Sequence, residues 1–287
     1  MFKRFYHCFI AGLYDLTLDD GKNLISLHDF RDELSGILHR DDFQLVKILF
    51  LPYDNSNLLK YISGETDKIN SLGNYTTEDF EEQVSRLDSI IKVDDILPEY
   101  MVSVIKEWLA SEKTLNRIGA EKLLTEGYYE LASQSGNKFL KKWIEYDLDM
   151  NNILVLKNSM DLGIEVSDQI IGSNKLAEEL KLISRKKSDF RVPTEPEYAS
   201  SIFNIAGESD FLEREMKIDL VRWNHLNDLI FFEYFTIDFI LAYLIKLFIA
   251  HRWLSLDEIT GQEMLKKLVS ELKVIETAAK EEAENNE

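Results

Sequence analysis

Four prolines and twelve glycines are spread through 287 residues, and this scarcity of backbone breakers constrains the fold more than any other feature. Proline removes an amide donor and glycine costs helix stability, so a chain with few of either can run in long helices. The fold class expected is all-α, a funnel or bundle of long helices. A chain this long buries roughly 75% of the surface it would expose unfolded, so a sizeable core is available. A scale of about 150 residues per domain sets a prior of about two domains. The helical pattern itself reads as one body, residues 1–287, with pseudo-repeats at roughly 1–97, 98–163 and 164–287.

Apolar spacing places the helices. Phe30, Leu34, Ile37 and Leu38 share one face, and a second helix runs from Phe43 to Phe50, stopped near Pro52. Residues 63–74 read as a loop. Thr76 and Asp79 form a capping box for a helix with Phe80, Val84, Leu87 and Ile91 on one side. Pro98 suits a first helical position, ahead of Tyr100, Val104, Ile105, Trp108 and Leu109. Further helices are expected over Leu115–Ser133, Asn137–Met160 with Gly163 as stop, and Lys175–Ile183. Between them, residues 164–174 fit a strand and a packed loop equally. The run from Arg185-Lys186-Lys187 through Pro193 and Pro196 reads as a linker with a solvated basic triplet, an acidic-partner contact being the alternative. A long helix is expected from Phe211 to Phe235. Two capping boxes, at Ser255 and Thr260, precede a stripe of Met264, Leu265, Leu268, Leu272 and Ile275; an acidic tail, Ala278 to Glu287, follows.

The segment Leu229–Ala250 is apolar enough to raise the question of a membrane span, but it contains Glu233, Asp238 and Lys246. Each charge near a bilayer centre costs about 2.5–3.5 kcal/mol. With Thr236 as N-cap and Asp238 in the first turn, a buried helix from Ile237 to about Trp253 is the better reading. No signal peptide is read at the amino terminus, where Asp15, Asp19 and Asp20 interrupt the apolar stretch. A net charge of −19 repels phosphate backbones, so no nucleic-acid partner is expected. A single cysteine, Cys8, excludes an intrachain disulfide and fits a reducing compartment.

Catalytic signatures are absent. Gly21-Lys22 is followed by Asn23 without the upstream glycine of a phosphate loop, and neither a dinucleotide fingerprint nor a nucleophile elbow occurs. None of the five histidines sits in a zinc or di-iron helix pattern. Cys8 beside His7 reads as a buried structural cysteine, since adjacent residues rarely converge on one site. The pairs Asp41-Asp42 and Asp94-Asp95 read as solvated turns or helix N-termini, and Trp223, Phe231, Phe232, Tyr234 and Phe235 as core. No catalytic, cofactor-binding or metal-binding residue is assigned, and no cofactor is expected.

One pattern recurs. Glu145-x-x-Leu148-Asp149-Met150 matches Glu215-x-x-Ile218-Asp219-Leu220, with Ile153 opposite Trp223 and Leu156 opposite Leu226. Asp54-x-x-Asn57-Leu58-Leu59 echoes Asp149-x-x-Asn152-Ile153-Leu154; Arg222 replaces the asparagine in the third copy. Such residues suit a tight helix–helix junction, where they satisfy one another and nearby backbone.

The stretch Phe139 to Ile153 resembles the recurring segment of the C-type subunit of V/A-type ATP synthases, named the d-type in the eukaryotic pump. Phe211–Leu226, Tyr234–Asp238, His251–Leu254 and Tyr6–Leu13 more closely resemble a divergent bacterial family of unknown function encoded among V-type ATP synthase subunits. The resemblance implies an all-α funnel of three similar units, without catalytic residues. It implies a rotor part for proton or other ion transport, joining the central-stalk subunits to the membrane rotor ring. It also implies a cytoplasmic location, peripheral on the membrane through those partners. A helical regulatory or scaffold protein unrelated to rotary ATPases is the alternative, and an enzyme on a helical scaffold a third.

Overall fold

The computed structural model describes residues 4–16, 24–87, 94–110, 115–163, 167–185 and 196–255. Among them are eleven α-helices and two single 3-10 turns, and the one β feature is an isolated bridge between Phe5 and Thr236. The fold is all-α. Several sequence expectations lie outside the described residues: Ile91, the Lys186–Pro193 part of the linker, the capping box at Thr260, the stripe from Met264 to Ile275, and the acidic tail.

After two short helices, α1 (His7–Ala11) and α2 (Leu27–Ile37), the chain repeats one order of elements. The first pass is α3 (Arg40–Ile62), a 3-10 turn (Thr66–Lys68), α4 (Thr77–Leu87), α5 (Glu99–Ala110) and α6 (Arg117–Ser133). The second is α7 (Lys138–Leu162), a 3-10 turn (Ser167–Gln169), α8 (Lys175–Arg185), α9 (Tyr198–Ala206) and α10 (Phe211–Leu229). The long leading helices hold 23 and 25 residues, and α4 and α8 hold 11 each. The last helix, α11 (Ile237–Ser255), takes the place that would open a third pass.

Local chemistry sets these boundaries. Ser26, Asn116, Asn137 and Asp210 each cap a helix by accepting a backbone N–H with the side chain. Thr76 and Asp79 form the reciprocal capping box, 2.8 Å one way and 3.3 Å the other. Gly163 ends α7 in the left-handed conformation, φ 68°.

Two expectations change. Helix α3 does not stop near Pro52 but runs through it to Ile62. A proline in a helix interior costs about 3 kcal/mol, and here Phe50, Asp54, Asn57 and Leu58 on both sides of it are fully buried, so packing outweighs the lost bond. Helix α10 ends at Leu229 rather than Phe235; the chain turns at 230–236, where Phe235 takes a positive φ of 62°. Of the two readings left open for residues 164–174, the described part, 167–174, takes the loop, with a 3-10 turn inside it. Helix α9, which the apolar spacing did not reveal, packs on α7.

The core is continuous from α2 to α11. Phe30, Phe50, Phe80, Leu124, Leu140, Ile153 and Leu244 are wholly excluded from solvent. Helix α11 is buried on nearly every side over Ile240–Ala250, as expected of a core helix. No helix among the described residues is long and apolar enough to cross a membrane.

Candidate functional site

The recurring aspartates hold the body together. On α3, Asn57 grips the loop that follows: its amide donates to the Asn70 carbonyl at 2.8 Å and its carbonyl accepts the Asn70 N–H at 2.7 Å. One turn earlier, Asp54 accepts the backbone N–H groups of Asn74 and Tyr75 on Oδ1, at 2.5 and 3.0 Å, and the Asn74 side-chain amide on Oδ2. Arg31 from α2 closes the junction by donating to Asn74 and to the Leu72 and Gly73 carbonyls.

On α7 the arrangement returns. Asn152 grips Ile171 by the same two bonds, 2.8 and 2.9 Å. Asp149 accepts the Asn174 amide at 2.8 Å and the Tyr198 hydroxyl at 2.6 Å. In each copy a helical Asn pairs with one loop residue, and the Asp beside it receives an Asn a few residues further along. A glycine lies in each loop: a Cβ on Gly73 would stand 2.6 Å from the Asn57 amide, and Gly172 has φ 88°.

Asp219 behaves differently. It lies on α10, the counterpart of α6, not of α3 and α7. It takes Arg222 from its own helix, at 3.4 Å, and Arg252 and the Trp253 indole N–H, the latter at 2.7 Å, from the end of α11. Arg222 reaches across to Asn151 and Asp147 of α7. Three aspartates are therefore buried helix anchors, but two hold loops and the third holds a helix end.

Burial governs their protonation. The Asp54 carboxyl is pushed up to about 6 by desolvation, against the lowering pull of the Tyr75 and Asn74 donors. Asp149 is also raised by burial, against its bonds from Tyr198 and Asn174. The Tyr198 hydroxyl is held far above its usual range by burial and by Asp149. The sequence pattern found the Asp and Asn pairs but missed Asn74, Asn174, Tyr198 and Trp253, which lie tens of residues away without a shared spacing.

The residues weighed for chemistry do not converge. Cys8 is exposed, not buried, because the five-residue α1 buries only Ile10. His7 stacks near Phe5 and Phe235, at 5.5 and 4.6 Å. Asp41 and Asp42 do open a helix, as expected, but Asp42 is buried and accepts the Tyr6 hydroxyl at 2.5 Å and Arg4 at 3.2 Å. Asp95 accepts the Gln83 amide at 2.7 Å. A cleft of about 380 Å³ lies between α3 and α6, but the Tyr129 hydroxyl on its wall already binds Asp147 and Asn151. Among the described residues no group of three or more His, Cys, Asp or Glu is placed to hold a metal ion.

The aromatic run after α10 corrects a second expectation. Trp223 is core, but Phe231, Phe232 and Tyr234 are 64, 80 and 64% exposed, and Phe5 beside them is 56% exposed. The positive φ of Phe235, held by the Tyr6 N–H on its carbonyl at 2.7 Å, turns the run outward as a knuckle.

The model of one protein family, described as Protein of unknown function (DUF2764), matches residues 3–275. No curated protein and no solved structure matches the chain.

Proposed function

Since the chain belongs to that family of unknown function, we propose its role from its residues: a non-catalytic coupling subunit of a V/A-type rotary ATPase, set between the central stalk and the membrane rotor ring. The family's description names no such machine; the reading comes from the likeness of Phe139–Ile153 to the recurring segment of the C-type subunit. The observation that carries it is the repeated Asp–Asn junction at Asp54 and Asp149, which ties each long helix to the loop behind it: the Asn bonds the loop backbone in both copies, and the Asp receives an asparagine side-chain amide in both.

A rotor adaptor must transmit torque without yielding. An ion gradient supplies about 2.3 kcal/mol per charge per 100 mV, several times thermal energy. Helices clamped at buried charged junctions, rather than joined by open loops, suit that load. The knuckle of Phe5, Phe231, Phe232 and Tyr234 offers an apolar grip, and the charge of −19 suits basic patches on a partner, with assembly that weakens as salt rises.

Capture of the native protein from its own cells at low ionic strength tests the proposal. Co-recovery of stalk and ring subunits, lost on washing with high salt, is the expected result; recovery of no rotary ATPase component overturns it.

A further inference from the structure

The two Asp–Asn junctions differ in what lies against them. At the first, Arg31 from α2 lays its guanidinium over the Phe50 ring, 4.7 Å from the centre. It donates to the Leu72 and Gly73 carbonyls and to Asn74 Oδ1, at 2.8, 3.2 and 2.9 Å. His28, also on α2, is bonded to Ser71 of the same loop at 2.9 Å. With Asp54 set against Asp149, Phe50 matches Glu145, Leu49 matches Ile144 and Tyr53 matches Leu148. At the second junction those three matching residues line a groove of about 660 Å³, together with α6 and loop residues 171–174, and the lining contains no arginine. From α8, Lys181 donates to the Gly172 carbonyl at 2.7 Å and the Ala177 N–H to Asn174 Oδ1 at 2.8 Å. Helix α8 thus holds the loop, while the place that Arg31 fills in the first copy is a groove in the second.

We infer that this groove docks an arginine carried on a helix of a partner protein, as the first junction holds Arg31 on α2. The charge of the groove selects a cation. Glu126 and Glu130 from α6 and Glu145 from α7 line it, against Lys141 as the one cation in the lining. Glu130 and Glu145 make no side-chain hydrogen bond or ion pair among the described residues, and Glu126 has a loose pair with Lys122 at 3.7 Å. Exchanging Phe50 for Glu145 keeps the preference for arginine. A guanidinium stacks flat on a ring in the first copy and can pair in a fork with a carboxylate in the second; a lysine ammonium has neither the plane nor the fork. Ile144 and Leu148 supply apolar surface for the side-chain stem. The volume lies within the roughly 300–1,000 Å³ of sites that take a drug-sized ligand, so a few residues of the partner fit rather than one side chain. The inference requires no rotary ATPase and stands or falls apart from that reading.

Fluorescence anisotropy with the full-length chain at low ionic strength tests this. The probe is a dye-labelled, alanine-based helical peptide bearing arginine and leucine on one face. Its control is the same peptide with lysine for arginine, equal in charge, since any cation is drawn to so acidic a chain. The arginine peptide should bind at least about tenfold more tightly than the lysine peptide, because only the guanidinium pairs as a fork. Glu130→Gln with Glu145→Gln should weaken the arginine peptide at least about tenfold, the loss of a charge-assisted pair. Glu81→Gln with Glu82→Gln removes the same charge from exposed positions on α4, outside the groove, and should change binding by no more than about twofold. Absence of binding, equal affinity for the two peptides, or equal weakening by the two pairs of substitutions each overturn the inference. So does binding of arginine amide alone as tightly as the peptide, which would assign the groove to a small cation.

Discussion

The Tyr198 hydroxyl donates to Oδ2 of Asp149 at 2.6 Å, tying α9 to the middle of α7 across 49 residues of chain. Removing this donor leaves a buried carboxylate with one partner fewer. Tyr198→Phe should cost about 1.5–3 kcal/mol, the range for a hydrogen bond to a charged group. Urea denaturation at neutral pH measures it, and a loss below about 0.5 kcal/mol would mean that water replaces the hydroxyl at no cost.

Asp54 makes stability pH-dependent in a direction opposite to most carboxylates. Burial holds its carboxyl near 6, above the usual 3.8, so between these values the native state binds a proton that the unfolded chain releases. Its contribution is therefore full below about pH 4 and declines as pH rises through 6, by up to ~3 kcal/mol at 1.36 kcal/mol per pH unit. Asp54→Asn has no such titration. The stability of the native protein minus that of the variant should descend between pH 4 and 6 and level off above 7; a difference that rises over that window contradicts the assignment.

Gly73 is needed for lack of a side chain. A Cβ there would sit 2.6 Å from the Asn57 amide nitrogen and 2.8 Å from Asp54 Oδ1. Gly73→Ala should destabilise by about 1–3 kcal/mol, as overpacking does. Gly36, near the end of α2 with open space around it, is the contrast: Gly36→Ala should stabilise by roughly 0.5–1 kcal/mol. Thermal unfolding of both variants compares them directly.

The aromatic knuckle should matter to partners and not to the fold. Phe232 is 80% exposed, so Phe232→Ser should shift stability by no more than about 0.5 kcal/mol. If the knuckle is a grip, the same variant, alone or with Phe231→Ser, should weaken recovery of bound partners at least about tenfold, the loss of one interface hot spot. Recovery equal to that of the native chain would remove the knuckle from the proposed interface.

What the amino-acid order determined by itself is the local part of this protein. Helix content followed from the shortage of breakers, and ends such as Asn137, Gly163 and the Thr76–Asp79 box were readable because a cap and its target lie within a few residues. The Asp-x-x-Asn pattern was also legible, since both members share one helix. Tertiary packing decided the rest. Pro52 stays helical because residues on both sides of it are buried against other helices. Asn74, Tyr198 and Trp253 reach the aspartates across loops whose length no periodicity encodes. The aromatics after Leu229 face outward because a backbone contact with Tyr6, more than two hundred residues earlier, sets the turn. Apolar composition reports what a side chain gains from burial; only the packed chain settles which apolar groups find room inside.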